Sequence, residues 1–337
     1  MTNARRISKR GVAGVVLLTG LLALAAFWQL YVPRVITVSA GEFPEQLVYA
    51  RSSDDVINGG VMFSPSPGSA KPVAVIWVHG WGVNFYYPTY TMIGRALAER
   101  GLTTISVNTR MHDLATSATH RRGKRVRGGG YWGIQSEQTL DLAAWIDLAE
   151  QLGFERVVLA GHSAGWAAVA AYQVTTEDPR VAGVVLASGA VQSLHPERDP
   201  ELIAQARRLI AGGTGDDLIR LPNRSFPSFI SADNLLDQAN TPPELLDFFG
   251  IDSQNAGMAR LGCPLLAFFG TRGDVGGEAD LELVASSLSR LSNTRSRVET
   301  RMIERADHMY TGEEAQVAQT ISDWADRVLL ADPMARP

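Results

Sequence analysis

Two patterns of apolar residues divide this chain. The first is one unbroken run: Gly11–Val32 spans 22 residues whose only polar side chains are Thr19, Gln29 and the Tyr31 hydroxyl. A helix of about 20 apolar residues crosses the hydrocarbon core of a bilayer, so this run is long enough to span one. Beyond Val35 the pattern changes to short apolar segments alternating with amphipathic ones, the mark of a mostly parallel sheet flanked by helices. The predicted strands are Val73–Val78, Thr103–Val107, Val157–Ala160, Val184–Ala187, Leu265–Phe269 and Val298–Ile303. Gln135–Leu152 is predicted helical, because Leu142, Trp145, Ile146 and Ala149 share one face and Gly153 suits the stop. Val317, Ile321, Trp324 and Val328 define a closing helix at the same periodicity.

Two stretches break the alternation. Residues 190–260 show no clear strand, contain Gly212-Gly213-Thr214-Gly215, and read as a helical insertion that forms a cap. Residues 117–130 carry Arg121, Arg122, Lys124, Arg125 and Arg127 among glycines and read as a basic, solvated loop.

Charge sharpens the first pattern. The first 28 residues hold four of the 31 basic residues (Arg5, Arg6, Lys9, Arg10) and none of the 35 acidic ones. The net −4 therefore divides into +4 there and −8 over the rest. Cations before an apolar run place its N-terminus in the cytoplasm and the chain beyond it outside, and Trp28 and Tyr31 suit an interfacial belt. The expectation is a membrane anchor over residues 11–32 with the remainder extracytoplasmic. The alternative is a cleaved signal peptide, after Ala23-Leu24-Ala25 or Val38-Ser39-Ala40, that leaves a secreted or periplasmic protein. The run exceeds the about 7–15 residues of a signal core, which favours the anchor. The acidic remainder argues against a nucleic-acid partner. Cys263 is the only cysteine, so an internal disulfide and a multi-cysteine metal site are both excluded.

The candidate chemistry begins at Gly161-His162-Ser163-Ala164-Gly165, which directly follows a predicted strand and precedes an apolar segment. A G-x-S-x-G pentapeptide at a strand–turn–helix junction lifts the serine hydroxyl clear of the sheet and aims a helix N-terminus at a developing anion. Serine needs a base. Of the six histidines, His308 lies between the last strand and the closing helix, where the order Ser…Asp…His places the base. His162 is the variable residue of the pentapeptide, His79 precedes two glycines, and His112, His120 and His195 fall in loops. Asp274 is the first carboxylate after Leu265–Phe269 and would hold the His308 tautomer; Glu278, Asp280 and Asp199 are weaker candidates. Asp307 reads as a turn residue. Val78-His79-Gly80-Trp81-Gly82 ends the first strong strand, and its glycines free backbone N–H groups for an oxyanion. Trp81, with Gly82 as the alternative, and Ala164 are the expected donors.

From about Lys71 to Leu330 the chain resembles an α/β hydrolase, on His79-Gly80-Trp81-Gly82, Gly161–Gly165, Asp274 and His308. Asn108-Thr109-Arg110 is similar to the Asn-x-Arg-Gly-His stretch of many members, with Met111 in place of the glycine. The resemblance implies an α/β fold whose mostly parallel sheet has eight strands, with 190–260 as a cap after the sixth. Residues 1–32 would be the anchor or signal and 33–337 the catalytic domain. It implies neither a metal nor an organic cofactor. The serine nucleophile disfavours dehalogenase and epoxide hydrolase chemistry, which use aspartate. The expected activity is cleavage of a small-molecule carboxylic ester with an apolar acyl or alkyl part, through an acyl-serine. Peptidase and thioesterase chemistry use the same three residues, and a non-catalytic binding module of the same fold is the reading from another class. Phe226, Phe229, Phe248 and Phe249 supply aromatic surface for either a cap core or an acyl pocket. The basic loop is a candidate for anionic substrates or lipid headgroups.

Overall fold

A strand with helices on both faces is apolar at every position, because each face meets packed side chains. The computed structural model describes residues 36–39, 44–119, 125–191, 198–222, 227–291 and 297–330, and its central strands meet that demand. Strands β1 (Ile36–Ser39), β2 (Pro44–Arg51) and β3 (Ile57–Phe63) form an antiparallel meander. Strand β4 (Val73–Val78) leads through helix α1 (Pro88–Glu99) to β5 (Thr104–Val107), and β6 (Thr116–Thr119) pairs with β7 (Arg125–Gly128) in a separate hairpin. Helix α2 (Gln138–Gln151), β8 (Arg156–His162), α3 (Gly165–Thr176) and β9 (Val181–Ala187) follow. After the cap come β12 (Leu265–Gly270), a helix over Glu278–Arg290, β13 (Val298–Ile303) and a last helix over Glu314–Ala325.

The main sheet runs β1-β2-β3-β5-β4-β8-β9-β12-β13, with every neighbouring pair from β5 to β13 parallel. The side chains of β4 alternate across it. Ala74, Ile76 and Val78 enter the core shared with Leu142, Trp145 and Ile146 of α2 and Val169 of α3. Val73, Val75 and Trp77 enter the opposite core, with Ile93 and Leu97 of α1 and Val317, Ile321 and Trp324 of the last helix. The predicted face of α2 is thus buried, as are Val317, Ile321 and Trp324 of the last helix. Val328 is half-buried, in a π turn beyond it. Gly153, at φ 95°, ends α2 as expected.

The cap holds α4 (Pro200–Ala211), the short strands β10 (Leu218–Arg220) and β11 (Phe229–Ser231), α5 (Ala232–Ala239), α6 (Pro243–Leu246) and α7 (Gly257–Arg260). The helices after it are accordingly α8 (Glu278–Arg290) and α9 (Glu314–Ala325). The cap has a core of its own, built from Leu202, Ala206, Ile219, Leu221, Ile230, Ala232 and Leu235.

The eight expected strands are present in the main sheet, and Ile36–Ser39 adds a ninth at its antiparallel edge, too short to stand out beside the apolar run before it. Two other expectations need correction. The cap is not purely helical, because two three-residue strands pair within it. The basic stretch is not a simple loop: Thr116–Thr119 and Arg125–Gly128 pair, and the β-branched Thr116 and Val126 suit them to it. The proposed anchor, residues 11–32, lies outside the described residues. Among those described, no helix is long and apolar enough to cross a membrane.

One buried charge ties the antiparallel edge to the parallel core. The Arg110 side chain is 6% exposed and pairs with Asp54 after β2, and with Glu137 and Asp141 at the start of α2. Asp141 is fully buried and also accepts the Arg110 backbone N–H at 2.8 Å. Burial pushes the Asp141 carboxyl up, and Arg110 opposes that rise. Arg110→Met leaves Asp141 buried without a counter-charge and is expected to destabilise the fold by about 3–5 kcal/mol. Urea denaturation checks this; unchanged stability would remove the strut.

Candidate active site

The turn between β8 and α3 places Ser163 at φ 51°, a left-handed conformation that a side chain adopts only under constraint. The neighbours explain how the turn closes so tightly. A Cβ on Gly161 would run into the Gly165 carbonyl, and one on Gly165 would lie 2.5 Å from the His79 carbonyl oxygen. The Ser163 N–H donates to Ala187 O of β9 at 2.8 Å, which fixes the turn to the sheet. Ala164 is the N-cap of α3, where backbone N–H groups lack an acceptor in the preceding turn.

His308, between β13 and α9, comes to this turn from the far end of the chain. Its Nε2 lies 3.0 Å from Ser163 Oγ. With the serine hydroxyl donating, the proton of the neutral ring sits on Nδ1, which is buried without a hydrogen-bond partner. Asp274 Oδ1 stands 3.9 Å from Nδ1, within ionic range but too far for a hydrogen bond, and the Asp274 side chain is 85% exposed. The fold therefore hydrogen-bonds Ser163 to His308 and brings Asp274 close to the pair. Glu278 and Asp280 occupy the first turn of α8, Asp199 caps α4, and Asp307 accepts the Thr311 N–H.

The loop after β4 borders the serine: a Cβ on Gly80 would lie 3.0 Å from Ser163 Cβ. Gly80 N–H donates to the Tyr90 hydroxyl at 3.1 Å. Gly82, at φ 74°, makes the turn, while Trp81 Nε1 donates to Gly130 O at 3.3 Å and the Trp81 ring meets Tyr131 edge-on.

A model of the alpha/beta hydrolase family matches residues 75–320. The chain belongs to the alpha/beta hydrolase family. Solved structures share its fold at low identity. A highly thermostable carboxyl esterase from Bacillus coagulans is 14% identical, with a TM-score of 0.60, covering 84% of this chain and 98% of its own. Est1E from Butyrivibrio proteoclasticus is 13% identical, with a TM-score of 0.54 over 83% and 98%. The esterase domain from a Rhodothermus marinus protein is 16% identical, with a TM-score of 0.51 over 84% and 98%. No curated protein matches the chain in sequence.

In this α/β hydrolase the other candidate residues take structural places. His79 Nδ1 donates to Gly80 O, Nε2 accepts the Thr109 N–H, and burial lowers its pKa to about 4. His112 pairs with Asp113, while His120 and His195 lie outside the described residues. Phe248 and Phe249 are buried against Trp166, three residues past the serine, so they belong to the core under the cap rather than to an open acyl pocket. Phe229 is partly exposed, and Phe226 lies outside the described residues. Arg127 is paired with Asp216 of the cap and lies over the Trp132 ring. Among the described residues, no group of three or more His, Cys, Asp or Glu could hold a metal ion.

Sequence reasoning passed over two residues at this site. His162 is fully buried beneath the serine and Tyr90 lies against it, with Tyr90 Oη 2.7 Å from His162 Nδ1. The one local signal was the position of His162 beside the serine; nothing marked Tyr90.

Burial lowers the His308 pKa from its ordinary 6.5, and the nearby carboxylates of Asp274 and Asp307 oppose that fall. His308 should therefore titrate below 6.5, and Asp274→Asn, which removes a neighbouring negative charge, should lower the midpoint further. Histidine NMR titration measures both; an unchanged midpoint in Asp274→Asn would show that the pair is uncoupled.

Proposed function

We propose that this α/β hydrolase cleaves small-molecule carboxylic esters through an acyl-Ser163 intermediate. The observation that carries the reading is the 3.0 Å approach of Ser163 Oγ to His308 Nε2, made on a strained strand–helix turn. Oγ attacks the ester carbonyl while His308 takes its proton, and the same proton then passes to the departing alkoxide. Water, deprotonated by His308, attacks the acyl-enzyme carbonyl, and collapse of the intermediate releases the acid as His308 returns the proton to Ser163 Oγ. The backbone N–H groups of Trp81 and Ala164 are assigned to the tetrahedral oxyanion. Asp274 is assigned to the imidazolium: a shift of about 1 Å would bring its carboxylate into hydrogen-bond range of Nδ1, and such contacts often tighten only in the loaded enzyme. Esterases that share the fold at low identity support the ester reading.

A fluorophosphonate should label Ser163. Ser163→Ala and His308→Ala should each lower kcat for p-nitrophenyl esters by about 10⁴-fold or more. The rate should fall as pH drops through the His308 pKa, below 6.5, because only the neutral ring can accept the proton. Turnover that survives Ser163→Ala, or a folded chain that the probe leaves unlabelled, would defeat the proposal.

A further inference from the structure

We propose that His162 and Tyr90 are positioning residues that hold the base through its own backbone, joining the oxyanion loop, the nucleophile turn and the His308 loop. This rests on the reading of His308 as the base. The contacts form one chain: Gly80 N to Tyr90 Oη at 3.1 Å, Tyr90 Oη to His162 Nδ1 at 2.7 Å, and His162 Nε2 to the His308 carbonyl oxygen at 2.8 Å.

The direction of every bond in the chain has one solution. A carbonyl oxygen only accepts, so His162 Nε2 carries a hydrogen and donates. His162 is fully buried and burial pushes its pKa down to about 3, so the ring is neutral and Nδ1 is bare. Nδ1 therefore accepts the Tyr90 hydroxyl hydrogen, and the hydroxyl oxygen accepts the Gly80 N–H. In the other tautomer a bare Nε2 would face a carbonyl oxygen at the same distance, two acceptors in opposition. The His308 carbonyl thus selects the tautomer, and Tyr90 completes it by donating to Nδ1. The imidazole is also held by its neighbours, nearly parallel to Trp77 and edge-on to Tyr310.

A buried histidine with paired nitrogens is ordinarily a core residue. Here its acceptor is the backbone of the base itself, and the ring centroids of His162 and His308 lie 4.9 Å apart. The other candidate holder of the base, Asp274, is exposed and makes no hydrogen bond to it. Loss of the chain would let the imidazole drift from Ser163, and a misplacement of about 1 Å costs a reaction about 10²-fold.

The test uses the full chain. Nitrogen NMR of ¹⁵N-histidine-labelled protein should find His162 neutral and protonated on Nε2 between about pH 5 and pH 8. Tyr90→Phe should keep it on the Nε2 tautomer, held by the His308 carbonyl, while the Nδ1 resonance shifts because its hydrogen bond is lost. His162→Leu should lower kcat by about 10²-fold with KM changed less than about threefold. His162→Gln, whose amide N–H₂ can reach the same carbonyl, should restore most of that loss. An Nδ1-protonated ring in the unmodified chain, a His162→Leu kcat within about threefold of the unmodified chain, or a Gln variant no better than Leu would each overturn the proposal. If His162→Leu fails to fold, the tautomer measurements on the unmodified chain and Tyr90→Phe still decide it. An unlabelled Ser163 in the fluorophosphonate assay would sink ester hydrolysis instead, and the NMR readout would still judge the hydrogen-bonded chain.

Discussion

The left-handed turn at Ser163 is the constraint on which the arrangement rests. A serine at φ 51° costs on the order of 1–3 kcal/mol, and persists only where the surroundings over-determine it. Here they do so from every side. The two glycines allow β8 and α3 to close to backbone contact, the loop after β4 packs beneath Gly165, and the Ser163 N–H is held by β9. The last two of these supports lie outside the pentapeptide. Each requires the central strands to be in place, so the geometry of one residue depends on the closure of the sheet.

Topology explains why the other groups arrive at the same point. From β4 the chain moves outward to β5 on one side, and from β8 it moves outward to β9 on the other. The carboxyl ends of β4 and β8 therefore flank a switch point, where loops diverge and leave a crevice. The loop after β4 brings Gly80 and Trp81, β8 leads directly into Ser163, and the parallel strand β13 delivers His308 from the same edge. The residues of the site lie more than two hundred positions apart in the chain, yet all sit at strand ends of one sheet.

The difference between local and distant causes also decides how much could be read from the chain alone. The buried strands, the serine turn and the amphipathic faces of α2 and α9 are written in contiguous residues, and they were legible. The approach of His308 was legible because chain order and the last strand place it. The chain from Gly80 to His308 was not, since Tyr90 and His162 are 72 residues apart and each looks like ordinary core. The strands β1, β10 and β11 have four residues or fewer, too few to establish a period of two. Phe248 and Phe249 were ambiguous for a different reason. An aromatic side chain serves a pocket or a core equally well, and only their contact with Trp166 assigns them to the core.

The contrast between how the two partners of His308 are held carries a consequence for catalysis on the proposed reading. Burial favours the neutral ring, which is the form that accepts a proton from Ser163 at neutral pH. A carboxylate fully bonded to Nδ1 beforehand would stabilise the imidazolium, but it would also raise the pKa and protonate the base over a wider range. Placing the backbone grip on His162 removes the need for that prior bond. Asp274 can then remain hydrated at 3.9 Å, weakly coupled while the ring is neutral and more strongly attracted once the ring is charged. An interaction that strengthens as charge develops lowers the barrier, whereas one of equal strength before and during the reaction does not. On the proposed reading, position supplied by His162 and charge compensation supplied by Asp274 are thus separable functions, each carried by a different residue.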